Sequence, residues 1–149
     1  MNDSMRDAAA SLLGELSAGR VIGVHADLLD HIKNGVGRPT FPTTELWAAI
    51  EENHRCNIAL WDEEDQARRR DVPDSAIVRS KRLIDGHNQR RNDAVERMDE
   101  LILAMLPEPS ESAWLHSETV GAMIDRLSIL CLKIYHMDLQ TRRADAGAE

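Results

Sequence analysis

Seven carboxylates are spread over the predicted helices: Glu64, Asp65, Asp85, Glu96, Asp99, Glu118 and Asp125. Oxygen ligands in that number suit a magnesium ion, which an all-helical nucleotide or nucleotide-sugar pyrophosphohydrolase would hold in this way. Glu96 and Asp99 stand three apart and so share a helical face, but any charged helix produces that spacing by chance. Lys81, Arg91, Arg126 and Lys133 are interleaved with the acids. Carboxylates already neutralised by cations have less need of a metal, so none is expected, and the hydrolase stands as the alternative to a binding function. The same cations could instead clamp a dicarboxylate, as in a chorismate-mutase-like helical site.

Other candidate chemistry is thinner. His25, Asp27, Asp30 and His31 form a small cluster, but nothing nearby completes a four-ligand zinc set, and the segment reads as an amphipathic surface helix. His54, His87 and His136 read as satisfied seam or surface groups. His116 beside Ser117 lacks the glycine-flanked elbow that presents a nucleophilic serine. There is no glycine-rich phosphate loop and no dinucleotide fingerprint, so no cofactor is expected. Trp47, Trp61, Met98 and Met105 read as core, and Cys56 and Cys131, which belong to no paired motif, as reduced structural thiols.

The elements that must position these residues are helical. Apolar residues recur at three and four, and strand-like alternation is absent. Five segments are predicted. The first spans about Ser4 to Ala18 and ends near Gly19; the second spans about His25 to Asn34 and stops at Gly35. Thr43 or Thr44 opens the third, which runs to about Arg70, and Asp74 or Ser75 caps the fourth, which runs to about Leu106. Pro107 and Pro109 stop it. Ser117 caps the fifth, and the chain frays from about Thr141. The predicted class is all-α: an antiparallel bundle of three long helices with one or two shorter N-terminal ones. A single domain is expected, with N-terminal helices and loop in 1–42, the bundle in 43–137 and a tail in 138–149.

The fifth segment is apolar on nearly every side and is therefore expected to be buried, although it carries Glu118, Asp125, Arg126 and Lys133. Charges in such a place need partners. Helical phase supplies candidates. On the third segment Asn57, Trp61, Glu64 and Arg68 continue the stripe that begins with Leu46 and Ile50. On the fourth, Lys81, Asp85, Asn88, Asn92 and Asp99 align beside an apolar face of Ile77, Ile84, Val95, Met98, Ile102 and Met105, which Arg91 interrupts. Glu118, Asp125 and Lys133 share a face of the fifth. These rows predict a polar seam in which Glu64, Arg68, Lys81, Asp85, Asn88 and Arg91 partner the charges of the fifth segment. The seam either only sets helix register or also lines a pocket or partner groove.

The chain of 149 residues has a formal net charge of −8 and a pI near 5.2. That balance argues against nucleic acid or an anionic membrane surface as the main partner. No apolar run spans a bilayer and no signal-peptide core is evident, so the protein is expected in the cytoplasm.

Three stretches carry a family resemblance: Asn57-Ile58-Ala59-Leu60-Trp61-Asp62-Glu63-Glu64-Asp65-Gln66-Ala67-Arg68, then Lys81-Arg82-Leu83-Ile84-Asp85-Gly86-His87-Asn88-Gln89-Arg90-Arg91-Asn92-Asp93, then Ile124-Asp125-Arg126-Leu127-Ser128-Ile129-Leu130-Cys131-Leu132-Lys133-Ile134-Tyr135-His136-Met137. Together they resemble the bacterial domain-of-unknown-function family four-two-five-four over roughly Glu45 to Met137. The resemblance implies an all-helical cytoplasmic protein. From the genomic company such members keep, it also implies a link to glycosyltransferases and envelope polysaccharide synthesis, and it supplies no reaction. The expected function is therefore a non-enzymatic accessory or regulatory partner of a glycosyltransferase. The surplus of apolar positions adds the expectation of a homodimer.

Overall fold

A computed structural model describes residues 14, 16–106, 109 and 112–143. Among them are four helices and no strand: α1, Ala18–Asn34; α2, Glu45–Ala67; α3, Asp74–Met105; and α4, Val120–Thr141. The helix predicted over Ser4 to Ala18 lies almost wholly outside the described residues. The second predicted segment begins seven residues earlier than expected. Ser17, with its side chain accepting from the Arg20 amide at 3.3 Å, makes the N-cap, and Gly19 lies inside the helix. Gly35 ends α1 with φ 69°, a left-handed conformation that glycine takes without a Cβ clash.

Thr44 caps α2 by accepting from the Trp47 amide. That helix ends at Ala67, short of the expected Arg70. Pro73 rather than Asp74 or Ser75 occupies the N-cap of α3, its fixed φ suiting the entry, and the helix ends at Met105. Thr119 rather than Ser117 caps α4 through the Ala122 amide, so Glu118 precedes the helix. The tail boundary expected at 138 falls inside α4.

Cross-helix pairs fix the directions. Glu45 pairs with Arg97 and Glu64 with Lys81, so α2 and α3 run antiparallel. Asn53 meets Asp125, Asn57 meets Ser128 and Trp61 stacks on His136, so α4 runs alongside α2 in the same sense and against α3. Arg20 lies over Trp47, His25 stacks on His54 and Lys33 pairs with Asp62, so α1 also runs parallel to α2. A parallel neighbour requires a return. The ten-residue connection 35–44 can reach roughly 33 Å when extended, against about 25 Å for a 17-residue helix, and Arg38 bonding Glu51 at 3.0 Å holds it along the bundle.

The main core is built from Val21, Val24 and Leu28 of α1, Leu46, Trp47, Ala49 and Ile50 of α2, Met98 and Ile102 of α3, and Ile124 of α4. A smaller cluster joins Leu29, Ile58 and Leu132. Of the apolar face predicted for α3, Ile84, Met98 and Ile102 are buried, whereas Ile77, Val95 and Met105 are half-buried. Trp47 and Met98 are core as expected, and Trp61 and Met105 only partly so.

Helix α4 corrects the reading of a segment buried all round. Gly121, Ile124, Ser128 and Leu132 form its buried stripe, while Leu130, Ile134 and Met137 are 49%, 63% and 64% exposed. Apolar character on every side reflects two faces, of which the bundle covers one. Arg126 and Lys133 are exposed as well.

Close approach of α3 and α4 depends on Gly121. Its amide donates to Asp99 Oδ1 at 2.7 Å, satisfying one of the orphan donors of the α4 N-terminus. A Cβ there would lie 2.8 Å from that oxygen and 2.8 Å from the Val95 carbonyl oxygen, which is backbone and cannot swing aside. Gly121→Ala is expected to lower unfolding free energy by about 2 kcal/mol in a urea melt, because the helices must separate to admit the methyl group.

Candidate functional site

The α2/α4 contact begins as apolar packing and turns polar from Asn53 onward. Asn53 and Asn57, one turn apart on the buried face of α2, both donate through Nδ2 to Asp125 Oδ1, each at 2.8 Å. Asn57 Nδ2 also lies 2.9 Å from Ser128 Oγ, and Ser128 Oγ lies 2.7 Å from His54 Nδ1. With Ser128 accepting from Asn57, its own hydroxyl is free to donate to His54 Nδ1, which sets that imidazole as a neutral ring protonated on Nε2. His25 of α1 stacks on His54 with centroids 4.4 Å apart. Six side chains from three helices thus form one continuous polar cluster, five of them buried and Asp125 half-buried.

Burial holds both imidazoles neutral. His25 is pushed down to about 3 by burial, with the neighbouring His54 adding to the effect. His54 is pushed down to about 4, again mainly by burial; the His25 carbonyl opposes the shift without reaching hydrogen-bond geometry with Nε2, and Arg55 reinforces it. Neither ring nitrogen of His25 has a hydrogen-bond partner among the described residues. The surface-helix reading of the His25 segment is therefore corrected. His25 is fully buried, because Val21, Val24, His25, Leu28 and Leu29 make up the core stripe of α1.

The predicted seam is redistributed. Asp125 bonds amides, not cations. Glu118 pairs with Arg126 on its own side of the bundle. Arg68 pairs within α2, with Asp65 at 3.2 Å and Glu64 at 3.9 Å, and reaches no acid on α4. Glu64 forms an ion pair with Lys81 at 3.7 Å, between α2 and α3. Among the described residues Lys133 makes no ion pair. Lys81, Asp85 and Asn92 are exposed, and Asn88 is half-buried. The missed members are His25, Asn53, His54 and Ser128. A polar residue in an otherwise apolar slot of an i, i+3, i+4, i+7 pattern was the available signal for each.

Beyond Asn57 the seam opens into a cleft of about 280 Å³ lined by Asn57, Leu60, Trp61, Glu64, Asp65, Arg68, Arg91, Ile129 and Leu132. Five of the predicted seam residues, with Asp65 of the family motif, therefore do meet at one concavity. His136 stacks on Trp61 at 4.3 Å and 8°. On the opposite side, a groove of about 350 Å³ between α3 and α4 gathers Asp93, Glu96, Asp99 and Asp125. No three His, Cys, Asp or Glu among the described residues are arranged to hold a metal. Asp99 is committed to the α4 N-terminus, Asp125 to two amides and Glu118 to Arg126, which disperses the ligand set of the hydrolase alternative.

Cys56 and Cys131 are free thiols. Burial, with Glu52 alongside, pushes Cys56 up to about 11, so it stays protonated and unreactive at neutral pH, and burial raises Cys131 as well. No helix among the described residues is long and apolar enough to cross a membrane.

A family model described as "Protein of unknown function (DUF4254)" matches residues 47–149. No curated protein and no solved structure matches the chain. The match covers well over half of the sequence, so the chain belongs to that family.

Proposed function

We propose that this member of the DUF4254 family acts by binding another polypeptide across the outer face of α4, as a non-enzymatic cytoplasmic accessory or regulatory protein. The observation that carries this reading is the exposed stripe of Leu130, Ile134 and Met137 at i, i+4, i+7 spacing. Three large apolar side chains on one helical face, on a helix whose opposite face is already packed, fit an amphipathic partner helix. Lys133 and Arg126 flank the stripe and are exposed, so the complementary partner carries acids beside its own apolar row. A glycosyltransferase of envelope polysaccharide synthesis is the partner that the family resemblance favours. The expected homodimer would form on the same stripe, where an antiparallel pairing about a twofold axis sets Lys133 toward its own copy; self-association is therefore the weaker use of the face.

Affinity purification from the native cell tests this reading. The wild-type protein is expected to carry a defined partner that Ile134→Glu loses by about tenfold or more, since a charge on a desolvated apolar contact is expensive. Equal recovery with both proteins contradicts the assignment of the face. Turnover of nucleotides or nucleotide sugars with magnesium, abolished by Glu64→Gln, would overturn the non-enzymatic reading.

A further inference from the structure

The cleft at the polar end of α2 is separate from the outer face of α4 and has a chemistry of its own. Its walls are apolar where Leu60, Trp61, Ile129 and Leu132 meet. The charges at its rim are mutually satisfied, Arg68 by Asp65 and Glu64, and Glu64 further by Lys81. Arg91 differs. It lines the same cleft and makes no ion pair among the described residues; its one bond is to the Asn92 side-chain oxygen at 3.3 Å, and its Nε is buried with no partner. Arg91 is thus a half-buried guanidinium without a counter-charge, placed on the lining of a largely apolar concavity, where an oxyanion would be its natural partner. Trp61 is held rigid by the His136 ring, which makes it a fixed wall for a flat group. At about 280 Å³ the space suits a small molecule rather than a peptide helix.

We infer that this cleft binds a compact oxyanion, a carboxylate or phosphate joined to a flat or apolar body, with the Arg91 guanidinium on the anion and the body against Trp61. Glu64 and Asp65 do not repel such a ligand decisively, because Arg68 and Lys81 neutralise them. Asn57 lies at the inner end of the cleft and reaches back to Asp125, so the ligand would sit beside the buried polar cluster without entering it.

Titration of the full-length protein with phenyl phosphate, with benzoate and with neutral benzyl alcohol, followed at the Trp61 indole N–H resonance, tests the inference. Binding of at least one anion is expected, with benzyl alcohol weaker by roughly tenfold or more, and with Arg91→Met weakening the anion by roughly ten- to a hundredfold while Arg91→Lys retains part of it. Response to phenyl phosphate alone assigns the site to phosphate esters, and response to benzoate alone to carboxylates. Should Arg91→Met disturb folding, Ile129→Trp, which fills the cleft from α4, is expected to abolish binding with the fold intact by circular dichroism. No shift at Trp61 with either anion, or binding unchanged in Arg91→Met, overturns it.

Discussion

Lowering the pH from 7 to 5 is expected to cost the fold about 4 kcal/mol through His25 and His54 together. Both imidazoles are held neutral by burial, at about 3 and about 4 against an ordinary 6.5. A group whose folded value is depressed in this way stabilises the fold fully above its unfolded value and progressively less below it. The unfolded chain takes up two protons near pH 6.5 that the folded protein refuses, so stability falls as the pH drops from about 6.5 toward 4. Each imidazole contributes about 1.4 kcal/mol per pH unit, which gives about 2 kcal/mol apiece at pH 5. Urea melts across this window measure the slope directly. His25→Phe isolates one of the two. It keeps a ring against His54 and removes two nitrogens that have no partner, so stability at pH 7 is expected to hold or rise while the acid slope halves. A slope unchanged in that variant would mean His25 is not the buried neutral ring described above.

Asp125→Ala is expected to lower stability by about 3 kcal/mol, well beyond the ±0.5 kcal/mol of an ordinary surface change. The cause is the loss of one acceptor that holds two buried amides. Asn53 Nδ2 would be left with nothing in its place, and Asn57 Nδ2 would keep Ser128 and a long 3.5 Å bond to Asn53 Oδ1. Asp125→Asn retains an oxygen at the same position and is expected to lose far less. Lys133→Ala, at an exposed position without an ion pair, serves as the near-neutral control. A loss in Asp125→Asn as large as in Asp125→Ala would show that the charge matters and not the acceptor geometry.

Helical phase was enough to find Asn57 and Asp125, because both fall on stripes that begin with core residues, and it found Trp61, Glu64, Arg68 and Arg91 of the later cleft, to which the family motif added Asp65. What phase could not supply is which of two apolar faces a helix buries. On α4 both Ile124–Leu132 and Leu130–Met137 run at helical spacing, and only the position of α2 decides between them. Charge had the same ambiguity. Lys, Arg, Asp and Glu in one row can pair across helices, as Glu64 and Lys81 do, or along one, as Arg68 and Asp65 do. Entropy favours the short-range choice for long side chains at a surface. Reading polar residues in apolar slots as core would have recovered His25 and Ser128, since each sits in an otherwise unbroken buried stripe. The parallel course of α1 had no sequence signal beyond the ten residues that its return requires.

The central claim is that the outer stripe of α4 is a protein-binding face, and a photo-crosslinking side chain placed at position 134 in the native cell tests it most directly. A discrete adduct with another polypeptide is expected at Ile134, much stronger than at exposed Asp85 on α3. An absence of adducts at 134, or the same background of adducts at both positions, would contradict it.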